Sequence, residues 1–269
     1  MRNKAALLAK LHQAPPLLVL PNAWDAASAR LFEEAGFPAI ATTSAGIAWA
    51  LGAPDKQKIS RDRMADAVAR IVKAVKVPVT ADMEAGYGDV AATVTAVIDA
   101  GAVGMNLEDA THHAGRPLVP VDEQVARIKE ARRAAESKGV ALVLNARTDV
   151  FLLAAEAGVE QVFEAIGRLN AYREAGADCL FAPGVTDKLR IEALAKAVRG
   201  PLNVLAGPGT PPVEELQALG VARLSVGSTA MRSALGHVRK LAKELRESGT
   251  YGALLADAVP YADMNKLFE

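Results

Sequence analysis

The sequence predicts an α/β protein built as a (β/α)8 TIM barrel, and three observations lead to this fold class. First, short apolar runs rich in β-branched residues occur eight times along the 269 residues, with helical patterns between them. Second, the runs are mostly continuous rather than alternating, as expected for parallel strands buried on both faces. Third, no GxGxxG motif opens the first helix, which disfavours the competing prediction of a doubly wound open sheet. Eight strands alternating with helices over this length match the barrel.

The predicted strands recur at regular intervals, and most of them follow a glycine of the kind that ends a helix. The first is the run LLVLPNAW (17–24), and the other seven lie within 33–44, 75–84, 99–109, 137–149, 174–184, 199–207 and 218–228. Helical patterns lie at 25–35, 62–75, 91–100, 122–138, 162–175, 186–198 and 229–248. No linker or low-complexity segment divides the chain. We therefore expect one barrel domain over residues 1–269, with a C-terminal helical tail from about residue 249 to 269.

Composition and charge exclude several classes of protein. The 31 basic and 31 acidic residues cancel and aromatic residues make up only 4%, so neither a nucleic-acid surface nor a base-stacking platform is indicated. No apolar segment approaches the roughly 18 residues of a membrane helix, and residues 1–16 lack the pattern of a secretory signal. The single cysteine, Cys179, excludes an intramolecular disulfide and fits a reducing compartment. We expect a cytoplasmic protein without a membrane or nucleic-acid partner.

Polar side chains gather at the carboxyl ends of the first five predicted strands, where a barrel places its chemistry. They are Asn22 and Asp25, then Thr42, Thr43 and Ser44, then Asp82 and Glu84, then Glu108 and Asp109, then Asn145, Arg147 and Asp149. Two of them have simpler structural interpretations, which we favour. Asp25 precedes a helix and suits an N-cap, and Asp149 suits a residue that holds Arg147 in place or caps the next helix. The others predict a mouth with several acids and one arginine.

The stretch VTADMEAGYG (79–88) places two carboxylates one residue apart at the end of a strand. Because strand side chains alternate with a period of two, Asp82 and Glu84 share a face, where they repel each other unless a cation, a basic partner or a shared proton lies between them. With Glu108 on the next strand they suit Mg²⁺, through one direct ligand and water-mediated support. An ion-pair network with Arg147 is the structural alternative. Arg147 would also suit a substrate carboxylate or a developing enolate oxygen.

Taken in order, these motifs resemble the isocitrate lyase/phosphoenolpyruvate mutase superfamily, in the mutase-like subgroup that lacks the catalytic cysteine motif of the lyases. The resemblance covers nearly the whole chain and rests most on TTSAGIAWALGAPD (42–55), ADMEAGYG (81–88), GMNLEDA (104–110) and NARTD (145–149). It implies a barrel enzyme that binds Mg²⁺, for which Mn²⁺ can substitute. It also implies a small α-keto or α-hydroxy carboxylate as substrate, and a pyruvate-like enolate that is formed or consumed.

The resemblance also implies roles for individual residues. By motif position, the loop that binds a substrate carboxylate or oxyanion consists of Thr42, Thr43 and Ser44. The principal acid on the metal side is Asp82, with Glu84 and Glu108 as its water-mediated partners. Arg147 binds the substrate, and Asp55 lies near the reacting group. The hydroxyls and N–H groups of TTSAG (42–46) suit an anion on chemical grounds as well. Asp55 follows Pro54, and without the motif we would interpret it as a turn residue.

Departures from the superfamily pattern narrow the expected reaction. The lyases carry a lysine–cysteine–glycine–histidine stretch after strand four, whereas ATHHAGRPLVP (110–120) has no cysteine. Cys179 lies inside an apolar run, which favours a buried, inert thiol. Where the lyases have an acid and an asparagine that hold distal carboxylates, this chain has Pro183 and Gly207. Isocitrate or 2-methylisocitrate cleavage is therefore disfavoured, and the asparagine-bearing loop of a phosphoenolpyruvate mutase is also missing.

Two histidines in the 110–120 stretch, His112 and His113, are candidate proton donors because histidine titrates near neutral pH. We assign the catalytic roles to Asp55, Arg147 and His113. The leading hypothesis is a Mg²⁺-dependent enzyme that breaks a C–C or P–C bond in an α-keto acid of three to five carbons, such as oxaloacetate or phosphonopyruvate. The alternatives are an isocitrate-type or 2-methylisocitrate-type lyase and, from another class, a barrel that binds Mg²⁺ and a keto acid without turnover.

The helical pattern at 229–248 carries a stripe of apolar residues, at Met231, Leu235, Val238, Leu241 and Leu245. Packing on the protein's own barrel accounts for such a stripe. The superfamily resemblance adds the expectation that this helix is exchanged between subunits of a homo-oligomer, a dimer within a homotetramer.

Overall fold

The computed structural model describes residues 1–13, 15–113, 116–154 and 158–269, without the side chains of residues 112, 113 and 116. Its strands are β1 (Leu18–Leu20), β2 (Asn22–Ala23), β3 (Ile40–Thr42), β4 (Val79–Asp82), β5 (Gly104–Glu108), β6 (Ala110–His113), β7 (Arg116–Leu118), β8 (Val143–Arg147), β9 (Cys179–Phe181), β10 (Leu202–Leu205) and β11 (Arg223–Ser225). All pair in parallel in one sheet except β6 and β7, which form a separate antiparallel hairpin.

The barrel closes through its first strand, which Pro21 divides into β1 and β2. Leu18 in β1 lies opposite Arg223 in β11, and Asn22 in β2 lies opposite Ala41 in β3. Proline has no N–H to donate, so a ladder that reaches it is interrupted, although its carbonyl still accepts from Ala41 N at 2.9 Å. If β1 and β2 are counted as one strand, the main sheet has eight strands, and the predicted (β/α)8 barrel is confirmed.

Helices connect and cover these strands. They are α1 (Arg2–Leu11), α2 (Ala26–Glu34), α3 (Ser44–Ala50), α4 (Arg61–Ala74), α5 (Val90–Asp99), α6 (Val121–Ser137), α7 (Val150–Leu153), α8 (Val159–Glu174), α9 (Lys188–Ala197), α10 (Val213–Ala218), α11 (Thr229–Glu247), α12 (Gly252–Ala256) and α13 (Tyr261–Lys266). Asp25 caps α2 by accepting from Ser28 N at 2.7 Å, as predicted. No helix in the described ranges is long and apolar enough to cross a membrane.

One close approach inside the barrel requires a glycine. A Cβ on Gly104 would lie 2.7 Å from Thr80 Oγ1 and 2.8 Å from Leu8 Cδ2. Leu8 is the fully buried residue of α1, so this helix packs directly onto the barrel interior. The glycine therefore lets α1 seal one end of the barrel, while the carboxyl ends of the strands stay accessible at the other.

The apolar stripe of α11 does not cover the barrel. Met231 in the first turn is buried, but Leu235, Val238 and Leu245 are 45%, 54% and 48% exposed. The interpretation that packing on the protein's own strands accounts for the stripe is therefore wrong. The helix is buried in its first turn, and the next 16 residues, 232–247, include no buried side chain. Exchange of α11 between subunits stays a prediction.

Candidate active site

Strand register brings the predicted residues together at the carboxyl end of the barrel. Asp82 in β4 lies opposite Asn106 in β5, and Glu108 in β5 lies opposite Arg147 in β8. A cavity of about 540 Å³ opens over them and is lined by Ser44, Asp55, Lys56, Glu84, Glu108, Ala110, Pro117, Arg147, Asp149, Leu152 and Leu153. A chamber of about 150 Å³ shares Ser44, Asp55, Arg147 and Leu152 with it, and also includes Asp82. Concave space with convergent charged groups is the usual form of an active site.

Asp82 is fixed by the loop that follows β3. Its Oδ2 accepts from Ser44 Oγ at 2.8 Å and from Ser44 N at 3.2 Å. Its own N–H donates to Thr42 Oγ1 at 2.9 Å. The side chain of Thr43 accepts from Gly46 N at 3.3 Å and so caps α3. Of the three residues predicted to bind a substrate oxyanion, Thr43 and Ser44 line the smaller chamber, whereas Thr42 is fully buried and supports Asp82.

Glu84 joins two segments of the mouth. Its Oε2 accepts from Gln57 N at 2.7 Å, and its Oε1 accepts from Tyr87 Oη at 3.0 Å. Burial, followed by the charges of Asp82, Asp55 and Glu108, raises the pKa of Glu84 to about 7. Burial contributes most to this shift, and the three neighbouring carboxylates add to it, as is common for carboxyls in active sites.

Backbone strain concentrates in the same two segments. Lys56, Gln57, Glu84 and Tyr87 have positive φ angles of 71°, 55°, 50° and 52°. Non-glycine residues in this region are uncommon, and such strain clusters at functional sites. The hydrogen bond from Gln57 to Glu84 therefore holds the turn that carries Asp55 against the end of β4.

Arg147 lies between two carboxylates. Its Nη1 is 2.8 Å from Glu108 Oε2, and its Nε and Nη2 donate to the two oxygens of Asp149 at 2.5 and 2.9 Å. The guanidinium carbon lies 5.8 Å from the centre of the Phe181 ring. Burial alone would lower the pKa of Arg147, but Glu108 and Asp149 outweigh it and the pKa is raised. Arg147 is thus a fixed, permanent cation.

A buried carboxylate, Asp109, supports Asp149 in turn. Its oxygens accept from Thr148 Oγ1 at 2.7 Å, Asp149 N at 2.9 Å, Tyr172 Oη at 2.7 Å and Arg168 Nη1 at 3.3 Å. Burial raises its pKa, and these four donors act in the opposite direction. Sequence reasoning placed Asp109 at a strand end without a role and did not single out Arg168 or Tyr172. Their spacing of four on one face of α8 is the only local signal, and it does not reveal the partner.

The remaining predicted residues are placed as follows. Asp55 lines both cavities. Cys179 is fully buried, and burial raises the pKa of its thiol to about 11, so the prediction of a buried cysteine is confirmed. The side chains of His112 and His113 lie outside the described residues, so the role assigned to His113 stays a prediction.

A hard divalent cation needs oxygen ligands, and the carboxylates at the mouth differ in whether they can provide one. Within the described ranges, no group of three or more His, Cys, Asp and Glu side chains converges closely enough to hold a metal ion. The contacts explain this, because Glu84 bonds to Gln57 and Tyr87 while Glu108 bonds to Arg147. Asp82 accepts only from hydroxyl and backbone N–H groups among the hydrogen bonds of the described residues, namely Ser44 Oγ, Ser44 N and, at 3.4 Å, Glu84 N, and so it is the carboxylate that suits a single direct ligand. One carboxylate with waters and substrate oxygens is an ordinary Mg²⁺ site.

Fold and site together define a barrel enzyme with an acidic mouth and one fixed arginine at the carboxyl ends of its strands. A model of the phosphoenolpyruvate phosphomutase family matches residues 8–246. The chain therefore belongs to that family, and with it to the isocitrate lyase/phosphoenolpyruvate mutase superfamily of lyases and mutases, as the motifs predicted.

The names of individual relatives refer to several different reactions. The 2-methylisocitrate lyase of Bacillus subtilis is 30% identical over 90% of this chain and 81% of its own length. A crystal structure from Burkholderia cenocepacia J2315, named as a lyase/mutase without a reaction, is 43% identical, with a TM-score of 0.92 over 99% of this chain and 96% of that one. The structure of oxaloacetate acetylhydrolase bound to 3,3-difluorooxalacetate is 29% identical, with a TM-score of 0.86 over 98% of this chain and 92% of that one. The family is thus shown, and the reaction is left open.

Proposed function

We propose that the protein is a Mg²⁺-dependent enzyme that acts on a small α-keto acid through a pyruvate-type enolate and breaks a C–C or P–C bond. The observation that carries this proposal is the juxtaposition of Asp82, Glu84 and Glu108 with Arg147 at the carboxyl end of the barrel. An acidic cluster with a raised carboxyl pKa suits a cation, and a half-buried guanidinium beside it suits an anionic oxygen. Similarity to a hydrolase that binds an oxaloacetate analogue supports the same substrate class.

In this proposal Asp82 holds the cation, with Glu84 and Glu108 as water-mediated partners. When bound, Mg²⁺ would supply charge stabilisation for a keto or enolate oxygen. Arg147 has five N–H donors, and its contacts with Glu108 and Asp149 use three of them. Two N–H groups thus remain to bind a substrate oxygen. Asp55, at the wall shared by the two cavities, and His113 are assigned to proton transfer.

A 2-methylisocitrate-type lyase is the second candidate, favoured by the 30% identity with the Bacillus subtilis enzyme. Two features of this chain oppose it. The segment 110–120 has no cysteine, and the one thiol of the chain is fully buried with a raised pKa, so it does not offer the reactive thiolate that the lyases use. A barrel that binds Mg²⁺ and a keto acid without turnover is the third candidate.

The test follows oxaloacetate, phosphonopyruvate, phosphoenolpyruvate and 2-methylisocitrate by proton and phosphorus NMR, first with Mg²⁺ and then with EDTA. We expect EDTA-sensitive release of pyruvate or oxalate from one of the two keto acids. Asp82→Asn should abolish it, and Asp66→Asn, which changes an exposed acid on α4, should not. If all four compounds stay intact while a keto acid still binds with Mg²⁺, the binding-only function replaces the enzymatic one.

The catalytic assignments have a separate test. Asp55→Asn and His113→Gln should lower kcat strongly while keto-acid binding is retained, because both groups are assigned to proton transfer rather than to binding. Variants as active as the wild type would show that these two assignments are wrong.

We also propose a homo-oligomer, because three large apolar side chains of α11 are exposed on one chain. Sedimentation velocity should then give a dimer or a tetramer. A monomer at micromolar concentration would exclude that assembly.

A further inference from the structure

The smaller chamber beside Asp82 and Arg147 has one wall made of apolar side chains. Phe181 ends β9 and Pro183 follows it, Leu205 ends β10, and Leu152 comes from α7. Phe181 and Pro183 are buried and Leu205 is half-buried, so the wall belongs to the barrel and is not a loose surface contact. Three of these side chains lie at the carboxyl ends of β9 and β10, and the Arg147 guanidinium carbon lies 5.8 Å from the centre of the Phe181 ring.

Few charged side chains line this chamber. Among the described residues that line it, Arg147 is the one cation, and Asp55 and Asp82 are the acids. Arg147 already bonds to Glu108 and Asp149. A first substrate carboxylate bound to Arg147 would use its remaining N–H groups, so a second carboxylate against the apolar wall would meet no further cation among the described lining residues and would lose its hydration without compensation.

Several uncharged polar groups of the chamber are already bonded within the protein. Asn22 Oδ1 accepts from the N–H groups of Val226 and Gly227, both at 2.9 Å. Ser225 Oγ donates to Asn203 Oδ1 at 3.3 Å. Because these oxygens already hydrogen-bond within the protein, they are not available to hydrate a charged substrate group beside the apolar wall.

We propose that the substrate carries an uncharged alkyl group on the carbon next to its keto carbon, and that this group lies against Leu152, Phe181, Pro183 and Leu205. The inference rests on the proposed function and refines its substrate class to an α-keto acid that is alkylated at C3. The charged part that is cleaved then faces the larger cavity, where Lys56 provides a second cation beside Arg147. The volume of the chamber, about 150 Å³, equals roughly five water molecules, which limits the alkyl group to a short one.

Product-like keto acids provide a readout that does not depend on turnover. Binding of pyruvate, 2-oxobutanoate, 2-oxopentanoate and 2-oxoglutarate is measured calorimetrically in the presence of Mg²⁺. Burying one methylene is worth a factor of about four in affinity, so Kd should fall about fourfold from pyruvate to 2-oxobutanoate. 2-Oxoglutarate should bind more weakly than 2-oxopentanoate, because its second carboxylate meets the apolar wall.

Two neighbouring leucines provide a matched pair of variants. Leu152 and Leu153 are both 48% exposed, but Leu152 lines both cavities whereas Leu153 lines only the larger one. Leu152→Ala should reduce the fourfold preference for 2-oxobutanoate to less than twofold, and Leu153→Ala should preserve it. Because both side chains are half exposed, neither variant is expected to unfold the protein.

The outcomes separate this inference from the function on which it rests. If pyruvate binds with Mg²⁺ but the alkyl homologues bind no better, or 2-oxoglutarate binds more tightly than 2-oxopentanoate, the alkyl substituent is wrong and the keto-acid function stands. Equal preferences in the two leucine variants would also overturn it. If no keto acid in the series binds with Mg²⁺, the proposed function itself fails.

Discussion

Replacement of Tyr172 by phenylalanine provides a direct test of the support behind Arg147. The Tyr172 hydroxyl donates to Asp109 Oδ2 at 2.7 Å, and Asp109 also accepts from the backbone N–H of Asp149. The carboxylate of Asp149 in turn accepts from Arg147. Tyr172 and Asp109 are both fully buried. Water therefore has no access to replace the hydroxyl, and the variant leaves a buried carboxylate with one donor fewer.

The size of the effect follows from the donors that remain. A hydrogen bond to a charged group contributes about 1.5–3 kcal/mol. Arg168 Nη1 lies 3.3 Å from both the Asp109 oxygen and the Tyr172 hydroxyl, so it can move closer to the carboxylate when the hydroxyl is absent. We therefore expect Tyr172→Phe to lower the free energy of unfolding by about 1.5–2 kcal/mol, in the lower part of that range. The loss should shrink in acid, because a protonated Asp109 accepts a weaker bond.

The assay is urea unfolding followed by the fluorescence of Trp24 and Trp49, with Tyr251→Phe as the control. Tyr251 is 60% exposed, and its hydroxyl contacts no described residue at hydrogen-bonding distance, so its variant should match the wild type. If both variants unfold within about 0.5 kcal/mol of the wild type, Asp109 does not depend on Tyr172 and the proposed chain of support to Arg147 is wrong.

Three further predictions follow from buried groups. Because burial raises the pKa of Cys179 to about 11, its thiol should not react with Ellman's reagent at pH 8 until the protein is unfolded; rapid reaction of the native protein would contradict this. Burial, then the charge of Arg223, lowers the pKa of His12 to about 4, below its unfolded value of 6.5. Its neutral form therefore supports stability above pH 6.5, and up to about 3 kcal/mol should be lost as the pH falls to 4. His12→Gln should flatten this decline, and an unchanged slope would refute the assignment. Gly104→Ala should destabilise by more than about 1 kcal/mol because its Cβ would clash at 2.7 Å. Gly167→Ala, in open space within a helix, should stabilise by about 0.5–1 kcal/mol, and equal effects in thermal melts would exclude the clash.

Much of the barrel could be predicted because its strands are local signals. The run within 137–149, for example, contains β8 at Val143–Arg147, since apolar β-branched residues bounded by a glycine describe a buried strand without reference to other parts of the chain. The hairpin of β6 and β7 was not predicted. Its strands are three and four residues long, which is too short for a periodic pattern. The exposure of α11 was also missed, because a helical apolar stripe does not indicate which surface covers it.

The candidate site also has a part that the sequence predicts and a part that it does not. Asp82, Glu108 and Arg147 could be predicted because parallel strands of a barrel bring their carboxyl ends to one mouth. The groups that hold these residues could not. The Tyr172 hydroxyl and Asp109 are 63 positions apart in the chain, and Gln57 donates through its backbone, which any residue type can do. Such contacts depend on how helices and turns pack on the strands, and a single sequence does not encode that packing as a pattern.

On the proposed function, the charge distribution at the mouth predicts that the cation and the substrate bind cooperatively. Among the described residues that line the two cavities, the acids are Asp55, Asp82, Glu84, Glu108 and Asp149, and the cations are Lys56 and Arg147. An anionic keto acid that enters alone meets this excess of negative charge, and Arg147 is already paired with two carboxylates. A divalent cation near Asp82 reverses the sign of the local field. EDTA should therefore weaken pyruvate binding at least tenfold, and not only abolish turnover. If pyruvate binds with equal affinity with and without Mg²⁺, Arg147 binds the carboxylate unaided and the acids at the mouth serve another purpose.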